Sequence, residues 1–116
     1  MTQPADNRLT DLPRPDTGEV FETLLACGQV RIERIVSSPR PDPVLYDQPQ
    51  HEWVLLLAGM ATLELAGERV ELGAGDHLFI PAHCRHRVLA TSDEPRCLWL
   101  AVHIVPALTA PAEAGH

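Results

Sequence analysis

Two short apolar runs of the sequence carry residues that could bind a metal ion. The run HEWVLLLAG at 51–59 has Glu52 as its second residue. The run GDHLFIPAHCRH at 75–86 has His83 and His86 among its last four residues. Imidazole nitrogens and a carboxylate oxygen on neighbouring strands can converge on one divalent ion. The spacing therefore predicts a metal site that includes these side chains.

Each of these residues also has an ordinary structural interpretation. A lone histidine in a strand is more often a hydrogen-bonded core or surface residue than a ligand. Glu52 could form a buried ion pair with Arg85 or Arg87. Cys84 points away from at least one of its flanking histidines on an extended chain, so it is interpreted as structural. The residues alone leave the choice open.

Composition limits the classes of function. The chain has 116 residues, which suits one domain, and 45% of them are hydrophobic. The net charge of −7 predicts no nucleic-acid partner, because an acidic surface repels phosphate backbones. No apolar run is long enough to cross a membrane, and the N-terminal residues have no apolar signal-peptide core. We expect a cytoplasmic protein whose three cysteines are free thiols (Cys27, Cys84 and Cys97).

The elements that must position the candidate residues are short strands. Residues 18–106 predict eight or nine of them, separated by Gly and Pro turns, and no substantial helix. Val30 to Glu33 alternate in the period of two that is typical of a half-buried strand. The prediction is an all-β domain at 18–106, with a polar N-terminal arm at 1–17 and a flexible tail at 107–116.

The order and spacing of the two runs resemble the two motifs of the cupins, which are small jelly-roll barrels. The first cupin motif ends in a Glu, six residues and a Gly, as from Glu52 to Gly59. The second runs from a Gly through five residues to a Pro, with a His five residues later, as at Gly75, Pro81 and His86. The resemblance covers most of the chain and implies a single-domain jelly-roll β-barrel like those of small bacterial cupins.

The resemblance departs from the family pattern at the metal ligands. The His-x-His that normally precedes the Glu falls on Tyr46 and Gln48, and the usual Gly after the Pro is His83. Direct matching leaves Glu52 and His86 as metal ligands. Gln48 offers an amide oxygen in place of one missing histidine, and His83 could turn inward to replace the other.

The resemblance implies a divalent transition metal (Fe, Mn, Zn or Ni) in the barrel, acting on a small molecule. The missing His-x-His supports the alternative, a metal-free barrel that binds a small ligand or has a structural role without catalysis. Weaker candidates for the substrate pocket are Tyr46, Trp99 and His103. The strand edges at 19–36 are open, and the resemblance implies that they pair with a second copy, as they often do in small cupins. We therefore expect a homodimer. The sequence does not decide whether the protein is an enzyme.

Overall fold

The computed structural model describes residues 12–106, and all of its regular elements are antiparallel strands. In chain order the eight strands of this part are β1 (Glu19–Cys27), β2 (Val30–Ser37), β3 (His51–Ala58), β4 (Met60–Leu65), β5 (Glu68–Gly73), β6 (His77–Ile80), β7 (His86–Thr91) and β8 (Leu98–Ile104). The predicted all-β class and the predicted number of strands are confirmed.

The strands form two sheets with the core between them. One sheet has the order β1-β2-β8-β3-β6, and the other has the order β5-β4-β7. The core takes residues from both sheets: Ile35, Val54, Leu56, Trp99 and Ala101 from the first, and Ala61, Leu63 and Leu72 from the second. This arrangement of two packed antiparallel sheets is that of a jelly-roll barrel.

Alternation along β3 and β8 decides which side chains face the interior. In β3, Glu52 and Val54 are buried. His51 and Trp53, which alternate with them along the strand, are half-buried on the opposite face. Because β8 pairs with β3 so that His103 lies opposite Glu52, these two side chains share the inner face. His51 therefore points away from Glu52.

The two motif glycines occupy turns of the left-handed backbone region. Gly59 has φ +91°, and a Cβ there would lie 2.9 Å from Cα of Cys97. Gly75 has φ +94° with no atom within 4 Å of such a Cβ. In the same turn, Asp76 Oδ2 accepts a hydrogen bond of 2.8 Å from the backbone N–H of Gly73. Conformation alone favours glycine at Gly75, whereas Gly59 also lacks space for a side chain.

Parts of the predicted domain boundaries lie outside the described residues. This holds for residues 1–11 of the predicted arm and for the whole predicted tail at 107–116. Residues 12–106 contain no helix able to span a membrane. The predicted open edge at 19–36 needs correction, because β2 lies between β1 and β8, so that of these two strands β1 alone is at an edge of the sheet.

Candidate functional site

A cavity of about 90 Å³ lies inside the barrel, between the two sheets. Its walls are mainly apolar, and polar side chains gather at one part of the lining. The lining comprises Ile35, Val54, Leu63, Ile80, Val88 and Trp99, together with Glu19, Phe21, Tyr46, Gln48, Glu52, His86 and His103. An apolar cavity with a few convergent polar groups is the usual form of a small-molecule site.

Glu52 is a buried carboxylate held by an amide. Its residue is 7% exposed, and its Oε1 accepts a hydrogen bond of 2.8 Å from Nε2 of Gln48. The two arginines considered as ion-pair partners lie elsewhere, since Arg85 pairs with Asp47 and Arg87 with Glu64. The structural interpretation of Glu52 as a partner of these arginines is therefore wrong.

His86 has one ring nitrogen fixed and the other free. Its Nδ1 lies 2.9 Å from the carbonyl oxygen of Cys84. Because a carbonyl only accepts, Nδ1 carries the proton, and Nε2 of the neutral ring keeps its lone pair. Nε2 lies 4.0 Å from Oε1 of Glu52. The ring stacks on Tyr46 at a centroid separation of 5.6 Å, which places the imidazole firmly in the wall of the cavity.

His103 uses both of its ring nitrogens within the protein. Nε2 lies 2.8 Å from Oε1 of Glu33, and Nδ1 lies 3.4 Å from Nε2 of Gln50. Nε2 therefore donates to the carboxylate, and Nδ1 of the neutral ring accepts from the amide. The distance of 3.9 Å from Nε2 to Oε2 of Glu52 is too long for a hydrogen bond. His103 lines the cavity, but it has no nitrogen free for a metal ion.

His83 lies outside the cavity. Its side chain is 70% exposed, and Nδ1 is 3.2 Å from Oδ1 of Asp47. The residue adopts φ 63°, in the region that a glycine would occupy without strain. This left-handed turn after Pro81 carries the imidazole to the surface. The expected inward turn of His83 beside His86 is therefore absent, and the structure brings together only Gln48, Glu52 and His86 of the four predicted ligands.

The sequence reasoning missed the part of the cavity formed by β1. Glu19 and Phe21 line the cavity, and Glu19 Oε2 accepts a hydrogen bond of 2.6 Å from the hydroxyl of Ser37. Ser37 Oγ in turn accepts one of 2.9 Å from Nε1 of Trp99. The signal was weak, because the sequence of β1, EVFETLLAC, has no regular alternation that would show which face is internal.

Burial shapes the acid–base properties of this region. Loss of water contact raises the pKa of Glu19, against the lowering effect of the hydrogen bond from the Ser37 hydroxyl, and the negative charges of Glu52 and Asp42 add smaller rises. Burial also raises the pKa of Tyr46, as do the charges of Glu19, Asp42 and Glu52. Both shifts describe a cavity where added negative charge is unfavourable.

The described side chains do not form a conventional metal centre. A first-row divalent ion usually takes about three protein donors. Within residues 12–106, no group of three or more His, Cys, Asp or Glu residues could hold such an ion. Two side chains still offer free lone pairs to a metal ion, His86 through Nε2 and Glu52 through its carboxylate. The amide oxygen of Gln48 is the available third, since Gln48 donates to Glu52 through its nitrogen.

The sequence profile of the cupin domain family matches residues 40–103. The chain belongs to this family of jelly-roll proteins. The two motifs recognised in the sequence lie within the matched segment.

Solved structures agree with this assignment. A protein from Ralstonia eutropha JMP134, described as a candidate mannose-6-phosphate isomerase, is 38% identical, with a TM-score of 0.77 over 90% of this chain and 100% of that one. A cupin superfamily protein from Desulfitobacterium hafniense DCB-2 is 18% identical, with a TM-score of 0.71 over 82% and 84%. A conserved Streptococcus pyogenes protein of unknown function is 17% identical, with a TM-score of 0.75 over 93% of both chains. These last two similarities show the fold alone. No protein of curated function matches the sequence significantly.

Proposed function

We propose that the barrel binds a small organic molecule in its inner cavity, with Gln48, Glu52 and His86 as the polar anchor. The observation that carries this proposal is the unused hydrogen-bonding capacity of two buried side chains. Nε2 of His86 lies 4.0 Å from Oε1 of Glu52, and Oε2 of Glu52 lies 3.9 Å from its closest histidine nitrogen. Both distances exceed that of a hydrogen bond.

Unused polar capacity in an apolar cavity favours a ligand. Glu52 and His86 line the cavity, where an N–H or O–H group of a ligand can reach their free lone pairs. A molecule that contacts Ile35, Val54 and Val88 with its apolar part and hydrogen-bonds Glu52 and His86 satisfies both kinds of surface. The three core residues bury the apolar part, and the polar pair sets its orientation.

The phosphosugar named for the Ralstonia eutropha relative is not part of this proposal. Phosphate groups are most often held by arginine, by lysine or by the N-terminus of a helix. Across the part of the chain that the structure describes, no arginine or lysine lines the cavity. Glu19 and Glu52 would instead repel a phosphate dianion.

The two tryptophans allow a direct test of binding. Trp99 lines the cavity, whereas Trp53 lies on the outer face of the same sheet. We would titrate 1-butanol and butyramide, in buffer with EDTA, while recording the indole N–H signals of both residues by NMR, assigned with Trp53→Phe. The proposal predicts saturable shifts of the Trp99 signal, with dissociation constants on the order of millimolar for such small molecules. A Trp99 signal unchanged by either compound would contradict it.

A divalent metal (Fe, Mn, Zn or Ni) bound by Gln48, Glu52 and His86 is the second candidate. It is favoured by the hydrogen bond from Nδ1 of His86 to the carbonyl of Cys84, which presents Nε2 in the form that a metal ion requires. A bound ion would supply Lewis-acid chemistry. His83 and His103 would remain outside the ligand set, the first by its position and the second by its hydrogen bonds.

Elemental analysis distinguishes this candidate from the first. The protein would be purified without a histidine tag, loaded with each metal in turn and desalted. The metal candidate predicts close to one equivalent for wild type and for His83→Ala, and loss in Glu52→Ala and His86→Ala. Less than about a tenth of an equivalent in wild type would exclude a stable site.

The expected cytoplasmic location is part of the same proposal. The three cysteines are free: Cys27 is exposed, Cys84 is half-buried and Cys97 is buried. Free thiols at all three positions suit a reducing compartment.

A further inference from the structure

We propose that the cavity selects a small organic cation, an apolar body that carries one ammonium group, with Glu52 as its counter-charge. This inference rests on the proposed function, because it assumes that the cavity holds a small molecule. It adds the charge and the hydrogen-bonding type of that molecule.

The charge of the lining is the first argument. Glu19 and Glu52 both line the cavity. The chain contains no lysine, and its nine basic residues are all arginines. None of the arginines within residues 12–106 lines the cavity. A positively charged ligand would therefore meet two acidic side chains and no arginine, beside the imidazoles of His86 and His103.

Two of the arginines that lie within strands are engaged with other carboxylates. Arg31 lies 3.4 Å from Glu33, and Arg87 lies 3.0 Å from Glu64. Neither pair involves Glu19 or Glu52. These two arginines therefore do not balance the negative charge of the cavity.

Hydrogen-bonding geometry is the second argument. Nε2 of His86 and Oε1 of Glu52 are both acceptors, and they lie 4.0 Å apart. A group that bonds to both must offer at least two hydrogens from one atom. A hydroxyl offers one and a primary amide two, whereas an ammonium offers three and also carries the charge that Glu52 can balance. Oε2 of Glu52 is a further acceptor for the third.

The aromatic content of the cavity is the third argument. The lining includes the only tyrosine of the chain, Tyr46, with one of its two tryptophans, Trp99, and one of its two phenylalanines, Phe21. The face of an aromatic ring attracts a cation within about 6 Å of its centre. Acidic and aromatic side chains around one cavity are the combination that suits an ammonium group.

The raised pKa of Glu19 supports the same conclusion. Burial causes most of the rise, and the charge of Glu52 adds to it. The carboxyl is therefore in surroundings where its negative charge is unfavourable. A cation in the cavity would offset that negative charge.

The test compares three four-carbon probes that differ in charge. Butylammonium, 1-butanol and butyrate would be titrated at equal ionic strength with EDTA present, and binding followed at the indole signals of Trp99 and Trp53. We expect butylammonium to bind about tenfold more tightly than 1-butanol, and butyrate to bind most weakly. Only the Trp99 signal should move.

Matched variants assign the preference to one carboxylate. Glu52→Gln keeps the shape of the side chain and should bring butylammonium and 1-butanol to within about twofold of each other. Glu71→Gln changes an exposed residue of β5 by the same single charge and should leave the preference intact. A preference that survives Glu52→Gln unchanged would remove Glu52 as the counter-charge and overturn the proposal.

The remaining outcomes separate this inference from the proposed function. If 1-butanol or butyrate shifts the Trp99 signal at concentrations as low as butylammonium does, the cavity binds small molecules but does not select cations, and the inference fails alone. If none of the three probes moves the Trp99 signal, both the inference and the proposed function fail.

Discussion

Nε2 of His86 lies 4.0 Å from Oε1 of Glu52, and the two side chains are only 8% and 10% exposed. They come from different sheets, since His86 begins β7 and Glu52 is in β3. Two acceptors held across the barrel in this way leave room for one donating group between them. This pair is the centre of the proposed site.

We expect the addition of one methyl group at Gly59 to lower the stability of the fold strongly. Gly59→Ala must adopt a left-handed conformation, at about 1–2 kcal/mol, and also displace the backbone of Cys97, at about 1–3 kcal/mol. Gly75→Ala has the same conformational cost without the contact. Urea denaturation should therefore show Gly59→Ala to be the less stable variant. Equal losses of stability in the two variants would mean that the close approach at Cys97 does not exist.

At His83 we expect a substitution to preserve or increase stability, in contrast to the loss expected at Gly59. Replacing His83 with glycine relieves the strain of a left-handed non-glycine residue, which should stabilise the fold by about 1–2 kcal/mol. It also removes the exposed ion pair with Asp47, which should destabilise the fold by about 0–1 kcal/mol. Because glycine also has a larger entropy cost of about 0.5–1 kcal/mol, we expect His83→Gly to match or slightly exceed wild-type stability in thermal denaturation. His83→Ala, which keeps the strained Cβ, should be less stable than His83→Gly.

Binding measurements on the same variants test the place of His83. Its side chain is 70% exposed and lies outside the cavity. Titration with 1-butanol, followed at Trp99, should therefore give the wild-type dissociation constant in His83→Gly. A loss of binding would show that His83 turns into the cavity in solution.

The raised pKa of Glu19 makes the folding stability of the protein depend on pH. Its folded pKa is raised above the ordinary value of 4.5, mainly by burial. The folded state therefore holds the proton more tightly than the unfolded chain does, and its stabilising effect is lost as pH rises from 4.5 through the folded pKa. Glu19→Gln removes this loss, so it should gain more stability relative to wild type at about pH 7.5 than at about pH 4.

An exposed carboxylate provides the control for that experiment. Glu68 is the exposed first residue of β5, and Glu68→Gln should have the same small effect at both pH values. If the gain of Glu19→Gln measured by urea denaturation is no larger at the higher pH, the carboxyl of Glu19 is not desolvated as the structure places it.

A row of apolar residues on the outer face predicts a homodimer. The strand pairings align Leu25, Ile32, Val102, Trp53 and Phe79 across all five strands of the larger sheet. The residues at the two ends, Leu25 and Phe79, are 51% and 49% exposed. An exposed apolar row beside the open edge of β1 is a surface that a second copy would cover.

Size-exclusion chromatography with light scattering measures this association. We expect the mass of a dimer for wild type and that of a monomer for Phe79→Asp, because a charge in an apolar interface is costly. Met60→Asp changes a residue of the smaller sheet that is 70% exposed and should remain dimeric. A monomeric wild-type protein would contradict the expectation.

Much of the fold could be predicted from the sequence, because it depends on local patterns. Short apolar runs between glycine and proline turns define strands, and Asp76 closes its turn as its residue type suggests. Glu52 and His86 were identifiable because motif spacing fixes their positions on the inner face.

The missing parts of the site depend on long-range pairing. The alternation in β2 does not reveal that Glu33 faces inward, where it accepts a hydrogen bond from His103 of another strand. Glu19 reaches the cavity only because β1 pairs with β2 and brings it to Ser37. For His83, the unusual φ of 63° determines the side-chain direction, and no sequence period encodes that angle.

The most direct test of the central claim is a titration of butyramide into wild type and into Val88→Phe, followed at the indole signals of Trp99 and Trp53. Val88 lines the cavity, and a phenylalanine there would fill part of its volume. The account predicts a saturable shift of the Trp99 signal in wild type, a shift at least about tenfold weaker in affinity in Val88→Phe, and a constant Trp53 signal in both. An equal response of the two proteins at Trp99, or a response at Trp53 alone, would contradict a binding site inside the barrel.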